Sequence, residues 1–214
     1  MIEQIKIGCA STKTTYGHRL DTTLVELNSD AKISGLFTSN KFKSAPVQIC
    51  LDQLETKMKG KKMLAINAGN ANAATGKKGV SDAKKLIQEI SNLTNISTTQ
   101  ILPFSTGVVG QPLDVKHLSL AFNKCFKNLS KNSWNDFAKA IMTTDTKSKI
   151  VKLSFKAGSK KYHIVGIAKG VGMIEPNMAT TLSYVFTDLK IPELALRKLH
   201  KRICDKTFNA ISID

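Results

Sequence analysis

Lys169-Gly170-Val171-Gly172-Met173-Ile174-Glu175-Pro176-Asn177-Met178-Ala179-Thr180 places small residues and a hydroxyl nucleophile directly before an apolar run, Leu182 to Phe186. Gly170 and Gly172 remove side chains where a backbone must turn sharply or be approached closely, and Pro176 fixes one dihedral, so the segment reads as a shaped loop. Thr180 stands at its exit. A threonine hydroxyl is a poor nucleophile until a base takes its proton, and its own freed α-amino group can be that base. Such an amine titrates near pH 8, roughly two units below a lysine, so a useful fraction is neutral at physiological pH. This chemistry requires the peptide bond between Ala179 and Thr180 to break.

Upstream of the loop the spacing predicts two strands, Val151 to Phe155 with Lys152 and Ser154 alternating outward, and Tyr162 to Ala168 leading into the loop. Downstream, Pro192 suits the first turn of a helix carrying Leu196, Leu199 and Ile203. Short apolar runs at Leu24 to Leu27, Ile33 to Phe37, Val47 to Leu51 and Met63 to Asn67 read as strands joined by turns. Ser81 can cap a helix whose Ala83, Leu86, Ile87 and Ile90 recur at helical spacing. Asp114 to Ser130 repeats that logic with Leu118, Ala121, Phe122, Cys125 and Leu129 on one face. A third helix begins after Ser133, with Asp136 near the capping-box position and Trp134, Phe137, Ala138 and Ile141 inward. Strands and helices interleave without a repeated βαβ period, which favours a mixed α/β (α+β) layered sandwich over a doubly wound parallel sheet.

The chain has 214 residues, enough for a substantial core, and no composition break divides it, so a single domain over 1–214 is expected. Its formal charge of +16 raises nucleic acid or an acidic surface as partners. Only Lys57-Met58-Lys59-Gly60-Lys61-Lys62 is a dense cluster, and aromatic residues are 6% of the chain, so base stacking has little to work with and no nucleic-acid partner is expected. A positive field could still help gather acidic substrates. Cys9, Cys50, Cys125 and Cys204 lie far apart and form no CxxC pair, which reads as buried free thiols with no metal site. His18, His117, His163 and His200 are scattered and receive no catalytic role. Met1-Ile2-Glu3-Gln4-Ile5-Lys6 lacks the apolar stretch of a secretory signal, and no segment approaches the roughly 20 apolar residues of a membrane span. A cytoplasmic protein without membrane association is the expectation.

The Lys169 to Thr180 run closely resembles the self-cleavage and nucleophile motif of the ornithine acetyltransferase family, the bifunctional glutamate N-acetyltransferases of arginine biosynthesis. The resemblance extends through Gly35-Leu36-Phe37-Thr38-Ser39-Asn40, Ala45-Pro46-Val47 and Asn67-Ala68-Gly69-Asn70-Ala71-Asn72-Ala73-Ala74-Thr75-Gly76. It continues through Ser105-Thr106-Gly107-Val108-Val109-Gly110 and Ala140-Ile141-Met142-Thr143-Thr144-Asp145-Thr146, in the family's order. The resemblance implies an α-β-β-α sandwich similar to the N-terminal nucleophile hydrolases. It implies Thr180 as nucleophile, cleavage between Ala179 and Thr180, and Thr106 and Gly107 as the oxyanion-hole pair. Thr143, Lys169 and Thr180 would contact substrate, with Lys169 holding a carboxylate. The implied reaction moves an acetyl group from N-acetylornithine to glutamate through an acetyl-threonine. No metal or organic cofactor is needed, and some family members also use acetyl-CoA as a co-substrate. Residues 1–179 would form an alpha chain and 180–214 the start of a beta chain, paired as a heterotetramer.

Two features depart from the family pattern. Thr181 stands where methionine is common, giving adjacent hydroxyls, and the chain ends at Asp214 where family members continue, which reads as a truncated second subunit. The Asn67 to Gly76 run lacks the order of a P-loop or of a dinucleotide fingerprint and is read as close-packed backbone behind the site. Without the resemblance, Ser105-Thr106-Gly107 is a polar turn, Lys169 a solvated charge, and Thr143-Thr144-Asp145-Thr146 a turn or cap. Three other functions remain compatible with the residues: an N-terminal-threonine amidase or aminopeptidase, a basic nucleic-acid-binding protein, and an inactive fragment.

Overall fold

A computed structural model describes residues 2–56, 58–172 and 181–211. Four strands form the first sheet: β1 (Ile5–Ala10), β2 (Thr22–Leu27), β3 (Lys62–Asn70) and β4 (Ile101–Val108), in that order across the sheet. β1, β2 and β3 pair antiparallel, whereas β3 and β4 run parallel. A parallel pair needs a crossover, and helix α2 (Gly76–Thr94) supplies it. β3 is buried along nearly its whole length, so its continuous apolar run, rather than an alternation, marks a strand covered on both faces.

One face of this sheet packs on α2 and α3 (Val115–Lys127). Leu86, Ile87 and Ile90 of α2 and Leu118, Phe122 and Cys125 of α3 meet Leu24, Met63 and Ile101. Asp114 caps α3, its carboxylate accepting from the His117 amide at 3.1 Å. The other face, with Ile7, Val25, Ile66 and Leu102, packs on α4 (Trp134–Ala140) and on a second, three-stranded antiparallel sheet. That sheet comprises β5 (Lys149–Ala157), β6 (Lys160–Lys169) and β7 (Leu182–Thr187). Val165, Ile167, Tyr184 and Phe186 point inward from it. Phe137 of α4 sits between the sheets, 5.1 Å from the Tyr184 ring and 6.2 Å from Phe186. The result is the expected mixed α/β layering of helices, sheet and sheet.

Several local expectations are corrected. Val47 to Leu51 belongs to helix α1 (Ala45–Glu55), not to a strand. Pro46 opens that helix, and Ile49, Cys50 and Leu54 supply its buried side; a five-residue apolar run is too short for periodicity to decide between the two. Ile33 to Phe37 forms no regular element. Ser81 lies inside α2, which starts at Gly76 and leaves Thr75 at its cap. β1 and β4 lie outside the runs that the sequence marks as strands. Pro192 is the N-cap of α5 (Glu193–Lys206), one position earlier than expected.

β5 is exposed on both faces over most of its length. Lys152 and Ser154 are exposed as expected, but so are Val151, Leu153 and Phe155, at 59%, 59% and 41%, and these three lie on the face away from buried Val165, the residue that Lys152 opposes. Period-2 alternation fixes which residues share a face but not which face is covered. All four cysteines are free, and Cys50, Cys125 and Cys204 are buried. Among the described residues no helix is long and apolar enough to cross a membrane.

Candidate active site

The parallel pair of β3 and β4 ends in an irregular register in which Gly69 lies opposite Gly107 and Asn70 opposes both Thr106 and Val108. Gly107 has φ +130°, and a Cβ built there would fall 2.4 Å from the Gly69 carbonyl carbon. A glycine at 107 allows these backbones so close, while a Cβ on Gly69 would instead meet the Thr15 side chain. The rest of the Asn67 to Gly76 segment is tied by its own amides. Asn67 donates to the Asn70 carbonyl at 2.9 Å and accepts from the Ser105 hydroxyl at 2.6 Å. Asn72, fully buried, donates to the Gly79 carbonyl at 3.0 Å. The expected close-packed backbone is therefore present beneath Thr106.

Lys169 is the last residue of β6, and its alternation turns it inward, where it is 3% exposed. Its Nζ donates to Thr143 Oγ1 at 2.7 Å and to Thr106 Oγ1 at 3.1 Å. Three separate parts of the chain thus meet at one ammonium: the end of β4, the loop after α4, and the end of β6. Lys169 lies opposite Leu182, the first residue of β7. Gly170, at φ +142°, approaches Thr181 so closely that a Cβ on it would stand 3.0 Å from the Thr181 hydroxyl. The chain therefore leaves the second sheet at Lys169 and re-enters it at the same rung. Thr180, Ala179 and Pro176 lie outside the described residues.

Asp145, which sequence reasoning assigned no part in the site, organises this junction. Its carboxylate, 6% exposed, accepts from Lys149 Nζ at 2.5 Å, from the Gly170 amide at 3.0 Å and from the Thr143 amide at 3.3 Å. Burial alone would raise the Asp145 carboxyl, but the Lys149 ammonium and the two amides outweigh it and hold the group below its ordinary value. Burial lowers the Lys169 ammonium, opposed by the Asp145 charge and reinforced by Lys149. Arg19 braces the same loop from outside. Its guanidinium lies 3.7 Å from the Tyr16 ring centroid and donates to the Met142 carbonyl at 2.6 Å. The only sequence signal for Asp145 was its place in a threonine-rich turn; nothing in the sequence marked Arg19 or Lys149.

Chemically, the cluster offers two hydroxyls and a backbone bend around a buried cation, at the point where β7 begins. Hydroxyl and amide donors beside a fixed positive charge suit a carbonyl oxygen that becomes negative.

Comparison with known proteins places the chain in a family. The ArgJ family model matches residues 4–214. The chain is 39% identical to the arginine biosynthesis bifunctional protein ArgJ of Colwellia psychrerythraea, over all of this chain and 52% of that protein. It is 36% identical to that of Methylococcus capsulatus, again over all of this chain and 52% of the relative. The chain spans about half the length of the curated relatives it matches. Among solved structures, ArgJ of Bacillus halodurans matches with a TM-score of 0.71 and 27% identity, covering 83% of this chain and 92% of that one. Ornithine acetyltransferase of Mycobacterium tuberculosis, solved with ornithine, matches with a TM-score of 0.68 and 25% identity, covering 82% of this chain and 93% of that one. On sequence and fold together, the chain belongs to the ArgJ family.

Proposed function

We propose that this chain carries the nucleophile half of an acetyltransferase of arginine biosynthesis, which matures by cutting itself between Ala179 and Thr180. Thr180 Oγ attacks the Ala179 carbonyl carbon, the hydroxyl proton passes to the departing Thr180 nitrogen, and the amide becomes an ester. Water then adds to the ester carbon, leaving Ala179 as a carboxylate and Thr180 with its hydroxyl and a free amine. That amine is the base for later turnovers. Residues 1–179 become an alpha chain and 180–214 the start of a beta chain, which pair in a cytoplasmic heterotetramer.

In the mature site the Thr180 hydroxyl takes acetyl from N-acetylornithine, releasing ornithine, and the acetyl-threonine then passes it to the amine of glutamate. An acyl-enzyme and ping-pong kinetics follow. Thr106, by its hydroxyl, and Gly107, by its amide, serve the developing oxyanion, and Thr143 and Lys169 stand on the substrate side. No metal or organic cofactor is required; acetyl-CoA is an alternative acyl donor. The ornithine bound to the Mycobacterium tuberculosis relative supports the substrate class.

The observation that carries this reading is the convergence of Thr106, Thr143 and Lys169 on the rung where Leu182 begins β7, two residues after Thr180 in sequence. Intact mass of the purified chain beside Thr180→Ala tests it. Two fragments divided after Ala179 are expected from the parent and none from the variant. Acetyl transfer from N-acetylornithine to labelled glutamate tests the second half, and free acetate without N-acetylglutamate would assign a hydrolase instead.

A further inference from the structure

Lysine carries donors and, as an ammonium, no acceptor, so in both of its bonds the threonine oxygen must accept. A hydroxyl has a single hydrogen. With one lone pair of Thr106 Oγ1 occupied by Lys169, that hydrogen is left to point at another group. Accepting a charge-assisted bond also polarises the O–H and makes it a stronger donor. Two features fix the geometry. Lys169 is buried, with Thr143 and Thr106 as its hydrogen-bond acceptors among the described residues. Asp145 accepts from the Thr143 amide and from the amide of Gly170, the residue following Lys169, so one carboxylate ties Lys169 to Thr143.

We propose that Lys169 acts on acyl transfer through Thr106, as a positioning residue that turns the Thr106 hydroxyl hydrogen toward the developing oxyanion and strengthens it as a donor. This role differs from holding a substrate carboxylate, and it rests on Thr106 being an oxyanion donor and Thr180 the nucleophile. Self-cleavage separates the two roles, because that reaction involves the Ala179 carbonyl and no substrate carboxylate. A lysine that only holds substrate has no influence on it.

The test is a double-mutant cycle on the rate of self-cleavage of the full chain, followed by intact mass, for the parent, Thr106→Ala, Lys169→Met and the double variant, with Lys169→Arg alongside. Thr106→Ala is expected to slow cleavage by about 10²-fold. Lys169→Met is expected to slow it by at least about 10-fold, and the double variant to be no slower than Thr106→Ala, because the lysine has nothing to act on once the hydroxyl is gone. Lys169→Arg, which keeps charge and donors, recovers part of the loss. Parental cleavage by Lys169→Met, or a double variant slowed by the product of the single effects, overturns the proposal and leaves the proposed function standing. An uncut parent, or Thr106→Ala cutting at the parental rate, overturns both. If Lys169→Met loses its thermal transition, the Lys169 15Nζ resonance decides. A slowly exchanging ammonium signal that shifts in Thr106→Ala is expected; a lysine exchanging with water like a surface one overturns the proposal.

Discussion

Lys169 and Thr106 are 63 residues apart in sequence and 3.1 Å apart in space, on different sheets. The contact exists because both strands end at the same level: β4 reaches its close approach to β3 at Gly107, and β6 stops at the rung where β7 starts. Phe137, Tyr184 and Phe186 pack between the same two sheets, so the aromatic layer helps to hold them at the separation the Lys169–Thr106 bond spans. Packing in the core and geometry at the site are one problem here.

That burial has a signature at alkaline pH. Lys169 has its ammonium pushed below the ordinary lysine value, chiefly by burial. A folded-state value below the unfolded one, near 10.4, means the unfolded chain binds more proton in between, so this residue's contribution to stability rises with pH across that window. Comparing the parent with Lys169→Met by urea unfolding isolates it from the other lysines. The parent is expected to gain on the variant as pH climbs toward about 10.4, and a pH-independent difference would show that the ammonium titrates normally.

Gly107→Ala is expected to destabilise the chain by about 2 to 4 kcal/mol, combining left-handed strain with overpacking. The new methyl would fall 2.4 Å from the Gly69 carbonyl carbon, and its neighbours are backbone atoms that cannot rotate away. Because the displaced backbone carries Thr106, self-cleavage should fall in step. Urea midpoints together with intact mass check both; a variant of parental stability would mean the two strands are farther apart than the register places them.

Much of this fold is legible in the sequence, and the failures have physical causes. The helical spacing of Leu118, Phe122 and Cys125 and the capping aspartate at 114 identify α3 directly. β4 escaped because Pro103 and the polar Ser105-Thr106-Gly107 argue against a strand; as the sheet's edge, β4 accommodates a proline that a central strand would not. Thr106, Thr143 and Lys169 were reached through family resemblance, since each alone is an ordinary residue in its segment. Asp145 was beyond reach. Lys149 is only four residues away, but Gly170 becomes a neighbour of Asp145 only once the loop after α4 folds against the end of β6.

The outward row of β5 makes a surface prediction. Val151, Leu153 and Phe155 stand on the open face with Val185, which is 65% exposed. A contiguous apolar patch of this kind promotes self-association. Replacing Val151, Leu153 and Phe155 together with threonine keeps strand propensity and should alter stability by no more than about 0.5 kcal/mol per site. Sedimentation velocity at rising concentration should show less association in the triple variant, with weaker binding of an apolar dye. Unchanged association would place the contact elsewhere.

Asp145→Asn tests the junction from the acidic side. The substitution keeps the shape of the side chain but places an amide where a carboxylate accepts from Lys149, Gly170 and Thr143, leaving a donor facing a donor. A cost of about 1 to 3 kcal/mol is expected at neutral pH. Because the folded-state carboxyl is held below its ordinary value by Lys149 and the two amides, its contribution is fully present above the unfolded value of about 3.9 and is lost as pH falls through the lower folded value. The gap between parent and variant should therefore be constant from neutral pH down to about pH 5 and close below about pH 4. Chemical unfolding at stepped pH measures this, and a gap that persists unchanged to pH 2 would mean that the Asp145 charge contributes nothing to holding Gly170 and Thr143 together.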